Sequence, residues 1–101
     1  MRVIYTDESL DSLSESLRFG MEVLGLSLEK ALLLQEELFD RADSLALNPK
    51  KGQREEYLKH LKEDHRRIIE GYFKIVYKIE GDAIYITDFF DTRQDTGKIK
   101  G

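Results

Sequence analysis

The sequence has no cysteine among its 101 residues and a single proline, Pro49. Without cysteine there is no disulfide, no thiolate nucleophile and no cysteine-ligated zinc or iron–sulfur centre, and a reducing cytoplasm is the expected location. Long apolar runs are also missing. The longest purely apolar stretch is Ala31–Leu34, far short of the roughly 20 residues that cross a bilayer. The opening Met1–Tyr5 runs directly into Thr6, Asp7 and Glu8, so no secretory leader and no membrane partner are expected. The chain lacks a glycine-rich phosphate loop, a Gly-x-Ser-x-Gly elbow and a His-Glu-x-x-His helix. His60 and His65 lie five apart rather than at the i, i+4 spacing of a helical metal pair, and both read as solvated loop residues. Asp88, Asp91 and Asp95 lack the pattern of a calcium loop and read as charge at a strand end. No metal and no cofactor are therefore expected.

What is present is globular composition, 41% hydrophobic and 36% charged. This length supports one core, so a single domain over residues 1–101 is expected. The net charge of −4 is unevenly spread. Residues 1–47 carry 4 basic against 10 acidic side chains, residues 48–78 carry 9 against 5, and residues 79–101 carry 3 against 5. A chain that grips nucleic acid broadly is usually basic overall; here only the middle third could carry a basic patch.

Periodicity divides the chain. Arg2–Tyr5, with Val3 and Ile4, reads as a short strand. Thr6 or Asp7 can cap a following helix, in which Leu10, Leu13, Leu17, Met21 and Leu24 recur at helical spacing. Gly25 can end that helix and Ser27 can open the next. Leu28, Ala31, Leu32, Gln35, Leu38, Phe39, Ala42, Leu45 and Ala46 form its apolar stripe, which stops before Asn48-Pro49. The short connection predicts an antiparallel helical hairpin. Residues 50–64 are polar and read as a loop, with a possible helical turn around Glu55–Leu61. From residue 66 the period changes to two: a strand at residues 66–69, a turn at Gly71-Tyr72, a strand at residues 73–79 with Phe73, Ile75, Tyr77 and Ile79 on one face, a turn at Glu80–Asp82, and a strand at residues 83–90. The chain after Asp91 reads as frayed. The expected class is α+β: a short N-terminal strand, a two-helix antiparallel hairpin and a three-stranded antiparallel meander, with the hairpin covering one sheet face because neither part can bury its apolar side alone.

A basic cluster carries the most chemical information. Lys50, Lys51, Arg54, Lys59, Lys62, His65, Arg66 and Arg67 crowd together, Lys74 and Lys78 follow, and Tyr57, Tyr72, Tyr77 and Tyr85 are interleaved. Cations beside aromatics suit RNA, whose phosphates and bases they match, although a solvated charged face reads equally from the same residues. Arg66 and Arg67 open a strand and point to opposite faces. Arg93 follows the last strand and is expected at the same end of the sheet. Arginines there could stabilise a phosphorane-like transition state or grip carboxylates of a partner protein. Leu33, Leu34 and Leu47 exceed what one buried stripe needs and mark a candidate partner surface, or alternatively a homodimer seam.

The segment from His65 onward, with Arg-Arg-Ile-Ile-x-Gly-x-aromatic-x-Ile-Val-Tyr-x-Ile-Glu-Gly-Asp-x-Ile-x-Ile over residues 66–86, resembles the ParE/RelE superfamily of toxins from type II toxin–antitoxin systems, also called plasmid stabilisation proteins. The strand-plus-hairpin layout of the first 47 residues is similar to the family's as well. The resemblance implies a cognate antitoxin that lies on the toxin. RelE-like members bind the ribosome and cleave mRNA, whereas ParE-like members poison DNA gyrase. The resemblance places Arg66 or Arg67 at the cleaving family's strand arginine, Arg93 at its post-strand arginine, and Lys59 and Lys62 in its basic segment. The family's usual tyrosine or histidine after the last arginine is absent here, which removes the proton donor or acceptor that general acid–base cleavage needs. Three readings follow: a ParE-like gyrase inhibitor, a RelE-like ribosome-dependent endonuclease, and a diverged non-toxic binding module. The missing residue and the acidic balance favour the first.

Overall fold

A computed structural model describes residues 1–55, 58 and 64–94. It is α+β: two helices and a five-stranded mixed sheet. β1 (Arg2–Tyr5) leads into α1 (Asp7–Glu22) and α2 (Leu28–Asp43), which ends in a short 3-10 turn at Ser44–Ala46. β2 (Gln53–Arg54), β3 (His65–Glu70), β4 (Phe73–Glu80) and β5 (Ala83–Asp91) complete the chain. The strands lie in the order β1-β5-β4-β3-β2. β3, β4 and β5 form the expected antiparallel meander, and β1 pairs parallel to β5 from Arg2↔Ala83 to Tyr5↔Ile86. The turns at Gly71 and Gly81 have φ of 59° and 63°, which glycine adopts without steric cost. β2 was not expected: two polar residues carry no periodicity, and its pairing with Arg66 and Arg67 exists only through the fold. Of the helical turn expected around residues 55–61, Glu55 and Leu58 are described, Leu58 N donating to Glu55 O (3.3 Å); Tyr57, Lys59, His60 and Lys62 lie outside the described residues.

Both helices start where their caps predict. Thr6 Oγ1 accepts from Ser9 N (3.1 Å) and Ser27 Oγ from Lys30 N (3.2 Å). Their inward faces differ from the expected stripes. In α1 the buried residues are Ser9, Ser12, Leu13, Ser16, Leu17 and Gly20, while Leu10 and Leu24 are exposed. Small side chains let the α1 backbone settle closely on β5, and Ser16 Oγ hydrogen-bonds Phe89 O (3.3 Å). The wider leucines flank that contact. In α2, Ala31, Leu38 and Ala42 are buried, with Leu45 just beyond, whereas Leu28 and Leu32 face solvent.

The core between hairpin and sheet joins Leu13, Leu17, Leu38 and Leu45 to Ile68, Phe73, Ile75, Tyr77, Ile84, Ile86 and Phe89. Tyr5, Phe39 and Phe89 form an aromatic trio, with Tyr5 and Phe89 stacked at 6.1 Å and Phe39 edge-on to both. The Tyr5 hydroxyl donates to Asp43 Oδ1 at 2.5 Å. Burial first, and the neighbouring Asp43 carboxylate second, hold that phenol well above its usual titration range.

Part of the far face of the sheet is also buried. His65, Val76, Asp88 and Phe90 are inaccessible there, so His65 is not the solvated loop residue the sequence suggested but part of β3. Val76 pairs with Asp88 and Tyr77 with Ile86, leaving Thr87 as the extra residue of a bulge in β5.

Candidate functional site

Arg66 and Arg67 diverge, as adjacent strand residues must. Arg66 lies opposite Tyr77 on the helix-facing side. Its Nη1 donates to Gly52 O (3.1 Å) and its Nε to Asp64 Oδ2 (3.3 Å). Tyr77, entirely buried and therefore unavailable for stacking on a base, donates to Pro49 O (2.7 Å) and accepts from Gly52 N (2.9 Å). Arg66 and Tyr77 together pin the segment around Gly52 to β3 and β4.

Arg67 faces the far side. It donates to the Arg54 carbonyl and to Gln53 Oε1 (3.3 Å), and it approaches Glu55 Oε2 (3.9 Å). The same carboxylate oxygen lies 3.4 Å from Lys74 Nζ. The Glu55 side chain is almost completely buried, so an internal carboxylate offsets part of the positive charge that a phosphate would otherwise meet.

Arg93 sits elsewhere. Glu70, Phe73 and Asp91 are in register across β3, β4 and β5. Arg66 lies four residues back from Glu70, about 13 Å along the strands, while Arg93 lies beyond Asp91. Arg93 is bound bidentately to Asp91, Nε to Oδ1 at 3.0 Å and Nη2 to Oδ2 at 2.8 Å, and its guanidinium lies 4.2 Å over the Tyr72 ring. Thr92 N and Oγ1 both donate to Tyr72 O (2.8 and 2.7 Å), and Gln94 Oε1 accepts from Ser16 Oγ (2.8 Å). The chain after β5 is thus tied down through residue 94 rather than frayed. Asp88 and Asp91 occupy opposite faces and do not cluster, and among the described residues no group of three or more metal-ligating side chains occurs. Lys59, Lys62 and Asp95 lie outside the described residues.

The three candidate leucines are likewise not one patch. Leu34 is half-buried against the core, Leu33 projects from the outer side of α2, and Leu47 stands almost fully exposed beyond the 3-10 turn. About 15 Å of helix separates Leu33 from the end of α2. Other exposed apolar side chains lie nearby: Leu28 (64% exposed) and Leu32 (55%), one turn apart on α2, with Val23 and Leu24 at the hairpin tip. At 100° per residue, Glu29 and Glu36 border Leu28 and Leu32 on the side away from the core.

The comparisons with known proteins agree with this architecture. The family described as the ParE toxin of the type II toxin–antitoxin system parDE matches residues 3–96. The chain belongs to the ParE toxin family. Among solved structures it is similar to a chain of the chromosomal ParDE toxin–antitoxin system from P. aeruginosa, with a TM-score of 0.71 and 19% identity over 90% of this chain and 95% of that one. That likeness concerns the fold. No curated protein sequence matches.

Within this ParE member, two structural acids escaped the sequence reading. Glu55 stands inside the basic segment of the sequence, and only its burial reveals a counter-ion. Asp91 was readable in principle, because an Asp-x-Arg at a strand end brings a carboxylate within reach of the arginine two residues on.

Proposed function

We propose that this ParE-family toxin, when free, inhibits DNA gyrase by binding it rather than by cutting RNA, and that a cognate antitoxin neutralises it. The observation that carries the reading is the dispersal of the arginines. Arg93 is committed to Asp91 at one end of the sheet, Arg66 to Gly52 and Asp64 near the other, and Arg67 to Glu55 on the opposite face. General acid–base or electrostatic catalysis on a phosphodiester needs its groups converging on one reacting atom. Family membership supports the toxin half of the reading.

The antitoxin is assigned to the exposed apolar side chains Val23, Leu24, Leu28 and Leu32. An amphipathic helix with an apolar seam and basic flanks complements them, since Glu29 and Glu36 border Leu28 and Leu32 and the first 47 residues are strongly acidic. Leu33 and Leu47 lie at the margins of this contact.

The test is expression from a tightly repressed promoter, with growth, plasmid topology and mRNA integrity followed in the same cells. Growth arrest with gyrase-linked DNA breaks and intact mRNA is expected. Arrest with fragmented mRNA overturns the reading in favour of the endonuclease, and unimpaired growth with folded protein leaves a non-toxic binding module.

A further inference from the structure

The outer edge of β3 is only half covered. β2 pairs Gln53 with Arg67 and Arg54 with Arg66, and Glu55 N donates to His65 O (2.8 Å). In an antiparallel ladder both backbone groups of a residue point the same way and alternate along the strand. His65 therefore faces β2, and so do Arg67 and Ile69. The register partner of Ile69 in β2 is position 51, yet Lys51 N turns back to Asn48 O (3.2 Å). The neighbouring Gly52 sits so close to β3 and β4 that a Cβ there would fall 2.7 Å from Arg67 O and 2.6 Å from Tyr77 Oη, so the chain can pass this point only as glycine. The Ile69 N–H and C=O are left without a strand partner among the described residues, and the Ile69 side chain is 51% exposed.

The surroundings of that edge are rich in cations. A depression beside it is lined by Arg41, Lys51, Gln53, Arg67, Ile69 and Lys74, with no carboxylate among the described lining residues. Glu70 lies against Arg41, and Glu55 against both Arg67 and Lys74, so among the described residues the lining cations outnumber these two carboxylates. Lys51 projects from the turn that replaces β2.

We infer that the β3 edge at Ile69 is a docking site for an extended acidic segment of a partner polypeptide, which adds as a short strand, hydrogen-bonds Ile69 and places carboxylates against Lys51 and the neighbouring cations. Open strand edges recruit extended peptides through main-chain hydrogen bonds, and charge selects among them. The site lies at the sheet edge, apart from the apolar side chains assigned to the antitoxin helix, and it does not depend on the toxin being active.

The test uses the full chain and NMR of its backbone amides, titrated with a short peptide alternating glutamate and valine. Controls are the lysine–valine counterpart and a glutamate–valine peptide N-methylated at alternate residues. The expected result is a shift of the Ile69 amide by the acidic peptide and at least about tenfold weaker binding of both controls. Lys51→Glu is expected to weaken the acidic peptide and Ile69→Pro, which removes the edge N–H, to abolish its binding, with chemical-shift dispersion showing that both variants stay folded. No shift at Ile69, equal binding of the lysine peptide, or equal binding of the N-methylated peptide overturns the proposal. A concentration-dependent Ile69 shift without peptide also overturns it, because a second copy of the chain would then hold the edge.

Discussion

Replacing Arg93 with alanine separates a structural arginine from a catalytic one. The Asp91 side chain is 1% exposed and that of Arg93 39%. The substitution removes two charge-assisted hydrogen bonds and the contact with Tyr72. A fully buried pair broken this way costs about 3–5 kcal/mol. Here the guanidinium is partly solvated, which lowers its worth, and Asp91 Oδ1 keeps the Arg93 backbone N–H (2.9 Å). The lost contact with Tyr72 adds about 0.5–1 kcal/mol. The expected destabilisation is about 2 kcal/mol, or roughly 10 °C in Tm for a domain of this size. Urea unfolding of Arg93→Ala, Asp91→Ala and the double variant should give a coupling energy of about 1–2 kcal/mol. Toxicity should persist in Arg93→Ala at temperatures where the variant remains folded. An Arg93→Ala chain with wild-type stability and no toxicity would refute the reasoning, since the arginine would then be acting on a target rather than on Asp91.

Three further outcomes follow from the packing. Gly52→Ala should cost about 2–3 kcal/mol, read by urea unfolding, because the new methyl meets the Arg67 carbonyl as well as the Tyr77 hydroxyl and backbone cannot easily yield. Leu28→Ser with Leu32→Ser should leave stability within about 0.5 kcal/mol each, since both are exposed, while abolishing co-purification with the antitoxin. For Tyr5 the folded state raises the phenol's pKa from an ordinary value near 10. The stability it contributes is therefore complete below pH 10 and is lost as pH rises toward the folded value. The urea midpoint should fall less steeply above pH 10 in Tyr5→Phe than in the parent, and identical slopes would contradict the assigned environment.

The parts of the fold that follow local rules were readable in the sequence. Strict alternation over Phe73–Ile79 gave the correct inward face, glycines marked both meander turns, and Thr6 and Ser27 marked the helix starts. Local rules fail where geometry depends on distant partners. α1 packs through serines and a glycine, which no hydrophobic pattern singles out, so Leu10 and Leu24 were misplaced in the core. Leu28 and Leu32 carry the periodicity of a core stripe, yet they lie on the shoulder of α2, and this is what makes them available to a partner. β2 has two residues and no periodic signal. Arg66 and Arg93 looked like one constellation because each neighbours a strand end. Only the register of β3 against β4 and β5 shows that these are different ends. Glu55 illustrates the limit for charge: a basic segment reads as a phosphate site until the carboxylate buried within it is located.

The most direct measurement of the central claim is a DNA supercoiling assay with purified gyrase and the purified, folded chain. Supercoiling inhibited in proportion to added toxin, and restored by the antitoxin, is the result this account predicts. Undiminished supercoiling with the toxin in excess over gyrase would contradict it.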